Sequence, residues 1–197
     1  MKKWAKIIIF SLIIICLIFF VILIIKHFKN GNNMSNKSQE EIEHYILNID
    51  SYEAEVEIEV NTNKNKNKYK AKQKYVKENN LYTQEILEPE NIKGTVITYD
   101  GTNLKLENTK LNLNKIYENY NYIGSNDLSL SQFVADYNGS NEKSINEKNG
   151  IIIMEAKIKN GNKYRAVKKL YINKKDVSPK KMEIQDITRE YTSLHII

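Results

Sequence analysis

The segment YEAEVEIEV, residues 52–60, alternates strictly between glutamate and an apolar, aromatic or small residue. A period of two is typical of a β-strand with one buried and one solvated face. The next segment of this kind, Tyr69–Lys77, carries lysines at alternate positions. We expect the loop Thr62–Asn67 to join the two into an antiparallel hairpin with these opposed pairs: Glu59 and Lys70, Glu57 and Lys72, Glu55 and Lys74. This ladder indicates a solvated face that fixes the strand register, and the alternative is a partner-binding face.

On the other face of the first strand, Val56 and Ile58 are expected to point into the core, beneath a helix that precedes the strand. Ser38 and Glu41 form a capping box that starts this helix. Its apolar positions follow at helical spacing and would pack on the sheet; they are Ile42, Tyr45, Ile46 and Ile49.

Further strand patterns continue to the end of the chain. The segments are Leu81–Leu87, Gly94–Asp100, Leu104–Asn108, Ile151–Ile158, Tyr164–Ile172, Lys181–Ile187 and Tyr191–Ile197. Turn signals stand at Asp100-Gly101, Asn149-Gly150 and Asn160-Gly161, where the residues tolerate positive φ. A second helix is predicted over Asp127–Tyr137, capped by Asp127 or Ser129, with an apolar stripe of Leu130, Phe133, Val134 and Tyr137.

A 19-residue apolar run, Ile7–Ile25, precedes this domain, interrupted only by Ser11 and Cys16. Such a helix just spans a hydrocarbon core of about 30 Å. The alternative is a cleaved signal peptide, which has a shorter apolar region followed by small residues; here Lys26, His27 and Phe28 follow. We therefore predict a transmembrane anchor over residues 1–25, a polar linker over 26–37 and one domain over 38–197.

The side of the membrane on which the domain lies is not decided by charge, because lysines flank the apolar run on both sides. A short tail before a first apolar segment usually stays inside, so we expect a single-pass membrane protein whose domain is extracytoplasmic. Cys16 does not read as a lipidation site, because Ile15 stands where the cleavage needs a small residue. We interpret this cysteine as a buried small hydrophobe.

The net charge of +6 comes from the N-terminal segment. Six of the 30 basic residues precede Ser38 and all 24 acidic residues follow it, so residues 38–197 are neutral overall. A nucleic-acid partner is therefore not expected.

No catalytic constellation is present in the sequence. The three histidines, His27, His44 and His195, are scattered without metal-ligand spacing, and Cys16 lies in the apolar run. We expect no enzyme activity, no metal and no cofactor. Tyr117, Tyr120 and Tyr122 lie in a segment without periodicity; they would line an apolar ligand site or protein interface, or cover a core edge.

Three phrases carry a family resemblance: EAEVEIEV (53–60), EPENIKGTVITYDGTNLKL (88–106) and PKKMEIQD (179–186). With the order of elements, they make residues 38–197 similar to the LolA-like lipoprotein-carrier superfamily, in its clostridial branch of GerS-like spore-germination lipoproteins. The resemblance implies an α+β fold, a large curved antiparallel half-barrel sheet with helices on its concave face.

The same resemblance suggests two functions. Carrier members hold acyl chains in the cavity of the half-barrel. The germination branch instead resembles an accessory module that binds and supports a cell-wall (spore cortex) amidase. A tethered protein cannot shuttle, so the transmembrane run favours the accessory module, with the lipid or lipoprotein carrier as the alternative. No ligand-binding residue is carried over from the family.

Overall fold

The computed structural model describes residues 37–61, 65–120, 128–158, 167–185 and 191–196, and for 191–196 the backbone alone. Within these ranges the chain forms two helices, α1 (Gln39–Leu47) and α2 (Leu130–Gly139), and eleven strands of one sheet. The strands are β1 (Ser51–Asn61), β2 (Lys66–Val76), β3 (Leu81–Glu88), β4 (Val96–Tyr99), β5 (Leu104–Asn108), β6 (Leu113–Tyr117), β7 (Lys143–Lys148), β8 (Ile151–Lys157), β9 (Val167–Asn173), β10 (Ser178–Gln185) and β11 (Tyr191–Ile196).

The sheet consists of two meanders that meet at one pairing. Strands β1 to β6 follow one another, β7 to β11 do the same, and β1 pairs antiparallel with β11, which gives the order β6-β5-β4-β3-β2-β1-β11-β10-β9-β8-β7. Helix α1 precedes the first meander, and α2 connects the two. The predicted α+β architecture of a large antiparallel sheet with helices is confirmed.

The hairpin of β1 and β2 has its glutamates and lysines on one face, as predicted, but its register is shifted by two residues. The observed partners are Glu59 and Lys68, Glu57 and Lys70, Glu55 and Lys72, and Glu53 and Lys74. The predicted pairing was wrong because both strands are longer than expected: β1 runs to Asn61 and β2 starts at Lys66. A shift of two keeps every side chain on its face.

Burial along β1 differs from the prediction at one position. Val56 is 1% exposed, whereas Ile58 is only half-buried. Helix α1 packs against β7 and α2, and its residues Ile42 and Ile46 are fully buried there. The core centre of β1 is therefore Val56.

Both helices begin at the predicted caps. The Ser38 hydroxyl accepts from the Glu41 amide at 3.2 Å, and the Glu41 carboxylate accepts from the Ser38 amide at 2.8 Å. Ser129 caps α2 by accepting from the Gln132 amide at 3.1 Å; Asp127 lies outside the described residues. Tyr45, predicted on the apolar stripe of α1, is 43% exposed, so this stripe is narrower than its spacing indicated.

Two strands were missed, β6 and β7, and they are the two edges of the sheet. Their side chains are mostly exposed, so neither strand shows the alternation that a buried face imposes. The other strand bounds differ by at most three residues, and Leu104–Asn108 has the bounds that were predicted. The Asn160-Gly161 turn and the predicted span Ile7–Ile25 lie outside the described residues, and none of the described helices has the length and apolarity needed to cross a membrane.

Candidate functional site

One cavity lies between the helices and the middle of the sheet. Its volume is about 340 Å³, and its walls come from α1, the start of α2, and strands β1, β2, β9 and β10. The lining is mainly aliphatic, with Val56, Leu128, Leu130, Leu170, Val177 and Met182 among its members. This volume falls at the lower end of small-molecule sites, so the cavity can hold a short apolar chain.

Tyr52, in the wall of this cavity, has an unusual side-chain hydroxyl. It is buried and has no hydrogen-bond partner among the described residues. Burial raises the pKa of Tyr52 to about 12. The hydroxyl is therefore neutral at all physiological pH values, and the cavity wall carries no charge at this point.

Helix α2 is held on the sheet by a buried ion pair. The Lys168 ammonium on β9 is fully buried and lies 2.6 Å from the Asp136 carboxylate on α2. Asp136 also accepts from the Gln132 side-chain amide at 3.1 Å. A buried pair of this kind fixes geometry more than it adds stability, so it sets the position of α2 over the sheet.

A second polar contact joins the two helices. The Tyr137 side chain on α2 is hydrogen-bonded to the Glu43 carboxylate on α1. Burial is the larger cause and this carboxylate the smaller cause of a Tyr137 pKa well above its usual value. Tyr137 is 1% exposed, stacks against Phe133 with ring centroids 5.7 Å apart, and has the Lys143 ammonium 4.9 Å from its ring centroid. The helices and the β7 edge therefore form one packed unit around Tyr137.

The opposite face of the sheet carries the charge ladder. Lys68 lies 2.9 Å from Glu57, Lys72 lies 2.7 Å from Glu53, and Lys66 lies 2.8 Å from Glu59. Hydrogen bonds from Lys66 and Asn61 lower the pKa of Glu59 to about 2. Since the charges are paired within the sheet, this face is self-neutralised, which supports its interpretation as a solvated, register-fixing face.

Farther along the same face, Glu183 forms a compact cluster with Tyr171 and Lys181. The Tyr171 hydroxyl donates to the Glu183 carboxylate at 2.7 Å, and Lys181 forms an ion pair with it. Burial raises the pKa of Glu183, but the bonds from Lys181 and Tyr171 outweigh burial, so its pKa is lowered. The carboxylate is thus ionised and fully engaged, and it is not a free acid or base.

The structure does not bring the singled-out residues of the sequence together. His44 is exposed on α1, and His195 lies in β11 opposite Glu57 and Lys181; His27, Cys16 and Tyr122 lie outside the described residues. Among the residues that are described, no three His, Cys, Asp or Glu side chains are placed to hold a metal ion. Tyr117 ends β6, 38% exposed, with the Tyr120 ring centroid 6.0 Å away.

The cavity lining was not predicted as a set. Its members come from both meanders and both helices, and each alone has an ordinary core pattern. Only the pairing of β1 with β11, which closes the two meanders into one sheet, brings Val56 near Leu170 and Met182. No local signal in the sequence marks that pairing.

Several solved structures are similar to this chain. A chain from the complex of the CwlD amidase with the GerS lipoprotein of Clostridioides difficile is 26% identical, with 78% of this chain and 89% of that chain covered and a TM-score of 0.48. An uncharacterised conserved protein from Thermus thermophilus is 13% identical over 82% and 85%, with a TM-score of 0.52, and shares the fold. A LolA superfamily protein from Nitrosomonas europaea is 14% identical over 82% and 92%, with a TM-score of 0.42.

No protein of curated function matches the sequence. A family model does match it: the model described as sporulation protein YdcC-like covers residues 8–194. This is nearly the whole chain, and it confirms the resemblance that the three sequence phrases indicated. The chain therefore belongs to the family of YdcC-like sporulation proteins.

Proposed function

We propose that this chain is a membrane-anchored, extracytoplasmic, non-enzymatic accessory module that supports a cell-wall amidase of the spore cortex during sporulation or germination. Its membership of a sporulation family over residues 8–194 carries the proposal. The amidase as partner follows from the sequence resemblance of residues 38–197 to the germination lipoproteins. The anchor is assigned to Ile7–Ile25, which has the length and apolarity of a membrane span.

The chemistry of the described side chains supports a binding role. The ionised Glu183 is engaged by its neighbours. His44 is exposed, and among the described residues it belongs to no metal-binding cluster of His, Cys, Asp or Glu. The ladder charges are paired within the sheet. General acid–base catalysis needs a poised, accessible group beside a substrate cleft. These groups instead hold the fold together.

Exposed apolar side chains support a protein partner. In the described ranges the large ones are Tyr45 (43% exposed), Leu111 (51%), Ile116 (56%) and Tyr117 (38%). The last three lie on β6 or in the turn before it, at one edge of the sheet. Exposed apolar and aromatic residues at a sheet edge are typical of interaction surfaces.

Affinity capture from sporulating cells tests the proposal. Full-length tagged protein, solubilised in mild detergent, should enrich a cell-wall amidase over an untagged strain. Ile116→Lys should weaken the capture, whereas Lys148→Ile on the opposite edge strand β7 should not. Recovery of no amidase would refute the accessory role. Protease added to intact protoplasts should remove the domain, and full protection would refute the extracytoplasmic location.

The cavity of about 340 Å³ favours a second candidate, a carrier of acyl chains. The mainly aliphatic lining suits an apolar chain, because each Å² of apolar surface that is buried stabilises the bound state by about 25 cal/mol. Organic extraction of the purified full-length protein, followed by mass spectrometry, should then release a lipid. Leu170→Phe, which fills the cavity, should abolish this signal, and the exposed Leu111→Phe should leave it intact. Equal signals from both variants would exclude the carrier function.

A further inference from the structure

Tyrosines from consecutive strands form a row across the sheet. Tyr52 of β1 lies opposite Tyr75 of β2, Tyr75 lies opposite Tyr82 of β3, and Tyr82 lies opposite Tyr99 of β4. Directly opposed residues share a face, and neighbouring strands lie about 4.8 Å apart. The four positions therefore extend over about 14 Å along the helix-covered face, and the first two rings have centroids 5.9 Å apart.

The first half of helix α2 lies above this row and leaves a cavity of about 290 Å³. We name it the tyrosine groove: one wall is Tyr75, Tyr82 and Tyr99 with Asn80, and the other comes from α2. The residues on the α2 side are Ser129, Ser131, Gln132 and Ala135. None of the lining residues is charged, and most of them carry a hydroxyl or an amide.

Two of the three groove rings are held in place by their own hydroxyls, and the Tyr75 ring packs against that of Tyr52. Tyr82 donates to the Gln84 side chain at 2.9 Å, and Tyr99 donates to the Gly101 carbonyl at 2.8 Å. Tyr82 is 3% exposed and forms the floor, whereas Tyr75 and Tyr99 are half-buried and present part of their surface. Fixed aromatic surfaces need little ordering when a ligand stacks on them.

Polar side chains line the groove beside these rings. The Gln132 amide nitrogen donates to Asp136 at 3.1 Å, so its carbonyl oxygen is left as an acceptor. The Ser131 hydroxyl lies 3.2 Å from that of Ser129, and one of the two donates to the other. Asn80 lies at the mouth of the groove, with its backbone at φ 48°. The groove thus offers both donors and acceptors beside aromatic faces.

We propose that the tyrosine groove binds a neutral oligosaccharide. Sugar rings combine an apolar C–H face, which stacks on an aromatic ring, with hydroxyls that exchange hydrogen bonds with amides and hydroxyls. Tyr75 and Tyr99 supply the stacking surfaces, and Asn80, Ser131 and Gln132 supply the polar contacts.

The chemistry of the groove disfavours other ligands. An acyl chain would remove water from the polar groups of the groove without replacing their hydrogen bonds, which costs free energy. An anion would find no cationic side chain in the lining. The cavity beneath α1 has a mainly aliphatic lining instead, so the helix-covered face has two sites of different chemistry.

The identity of the sugar rests on the proposed function. A protein that supports a cortex amidase works next to the β-1,4-linked, N-acetylated glycan of the cell wall. The probe is therefore chitotetraose, a soluble neutral tetramer of β-1,4-linked N-acetylglucosamine. Its acetamido groups add a donor and an acceptor on each residue, which suits the amide side chains of the groove.

Isothermal titration of the full-length protein in mild detergent with chitotetraose tests the site. Tyr99→Ala and Tyr75→Ala should each raise the dissociation constant by about tenfold, since each removes one stacking surface. Tyr99→Phe keeps the ring and should change it by less than about threefold. The matched control is Tyr69→Ala, on the same strand as Tyr75 and about 20 Å away along it; it should bind like the wild type.

Circular dichroism melts of each variant show whether it is folded before its titration is compared. Absence of binding by the folded wild-type chain would overturn the proposal, and so would binding that Tyr99→Ala and Tyr75→Ala leave unchanged. The proposed function is measured separately by amidase capture. A chain that captures the amidase and does not bind chitotetraose overturns the oligosaccharide site alone.

Discussion

Val56 provides a direct test of how β1 sits in the sheet. It is 1% exposed and lies between Ala71 of β2, itself fully buried, and Ile196 of β11. Val56→Thr keeps the size and the β-branched shape but places a hydroxyl in this apolar position. The hydroxyl is removed from bulk water because the side chain at this position is almost fully buried.

The cost follows from the burial of an unsatisfied hydroxyl. Such a group destabilises a protein by about 1–3 kcal/mol. For a domain of this size each kcal/mol lowers the melting temperature by about 2–4 °C, so the shift should be about 2–12 °C. The matched control is Glu55→Thr, one residue away on the solvated face, where Glu55 is exposed and opposite Lys72. That change should cost less than about 1 kcal/mol.

Thermal and urea unfolding followed by circular dichroism measures both variants. A third variant, Ile58→Thr, should fall between them, because Ile58 is half-buried. If Val56→Thr and Glu55→Thr are equally mild, the two faces of β1 are not distinguished by burial and the assignment of the core face is wrong. If Ile58→Thr lowers the stability most, the centre of the core lies two residues farther along β1, at Ile58.

Two further predictions concern charged groups. Lys66 and Asn61 lower the pKa of Glu59 from 4.5 to about 2, so the contribution of this carboxylate to stability is present above pH 4.5 and is lost as the pH falls towards 2. Over this pH range, the urea midpoint of Glu59→Gln should fall less than that of the wild type. Parallel pH profiles of the two proteins would contradict this. Asp136→Asn removes the carboxylate 2.6 Å from the buried Lys168 ammonium and should lower the free energy of unfolding by about 3 kcal/mol. The control Glu142→Gln breaks an exposed ion pair and should lower it by less than about 1 kcal/mol. Equal decreases in urea unfolding would show that the Lys168 pair is not buried in solution.

Local patterns predicted a large part of the architecture. The alternation over residues 52–60 identified β1 and its two faces, and the capping box at Ser38 identified the start of α1, because both depend on residues a few positions apart. The edge strands β6 and β7 were missed for the converse reason. Neither of their faces is buried, so no periodicity was imposed on their sequences.

The register of the first hairpin shows where local reasoning fails. Opposite charges pair equally well when a strand slips by two residues, since each lysine meets another glutamate. The observed register pairs Asn61 at the end of β1 with Lys66 at the start of β2, and it places Val56 opposite the buried Ala71. Charge alternation alone therefore determined the face and not the partner.

The sequence by itself determined the class of the protein: an apolar N-terminal run, a neutral domain rich in alternating strands, and the phrases that place it in a sporulation family. The tertiary structure decided which residues meet. The aliphatic cavity needs β1 beside β11, and the tyrosine groove needs Tyr75, Tyr82 and Tyr99 to be in register on three strands. Strand order and register result from the burial of one shared core by distant segments. A pattern that spans a few residues therefore does not predict either of them.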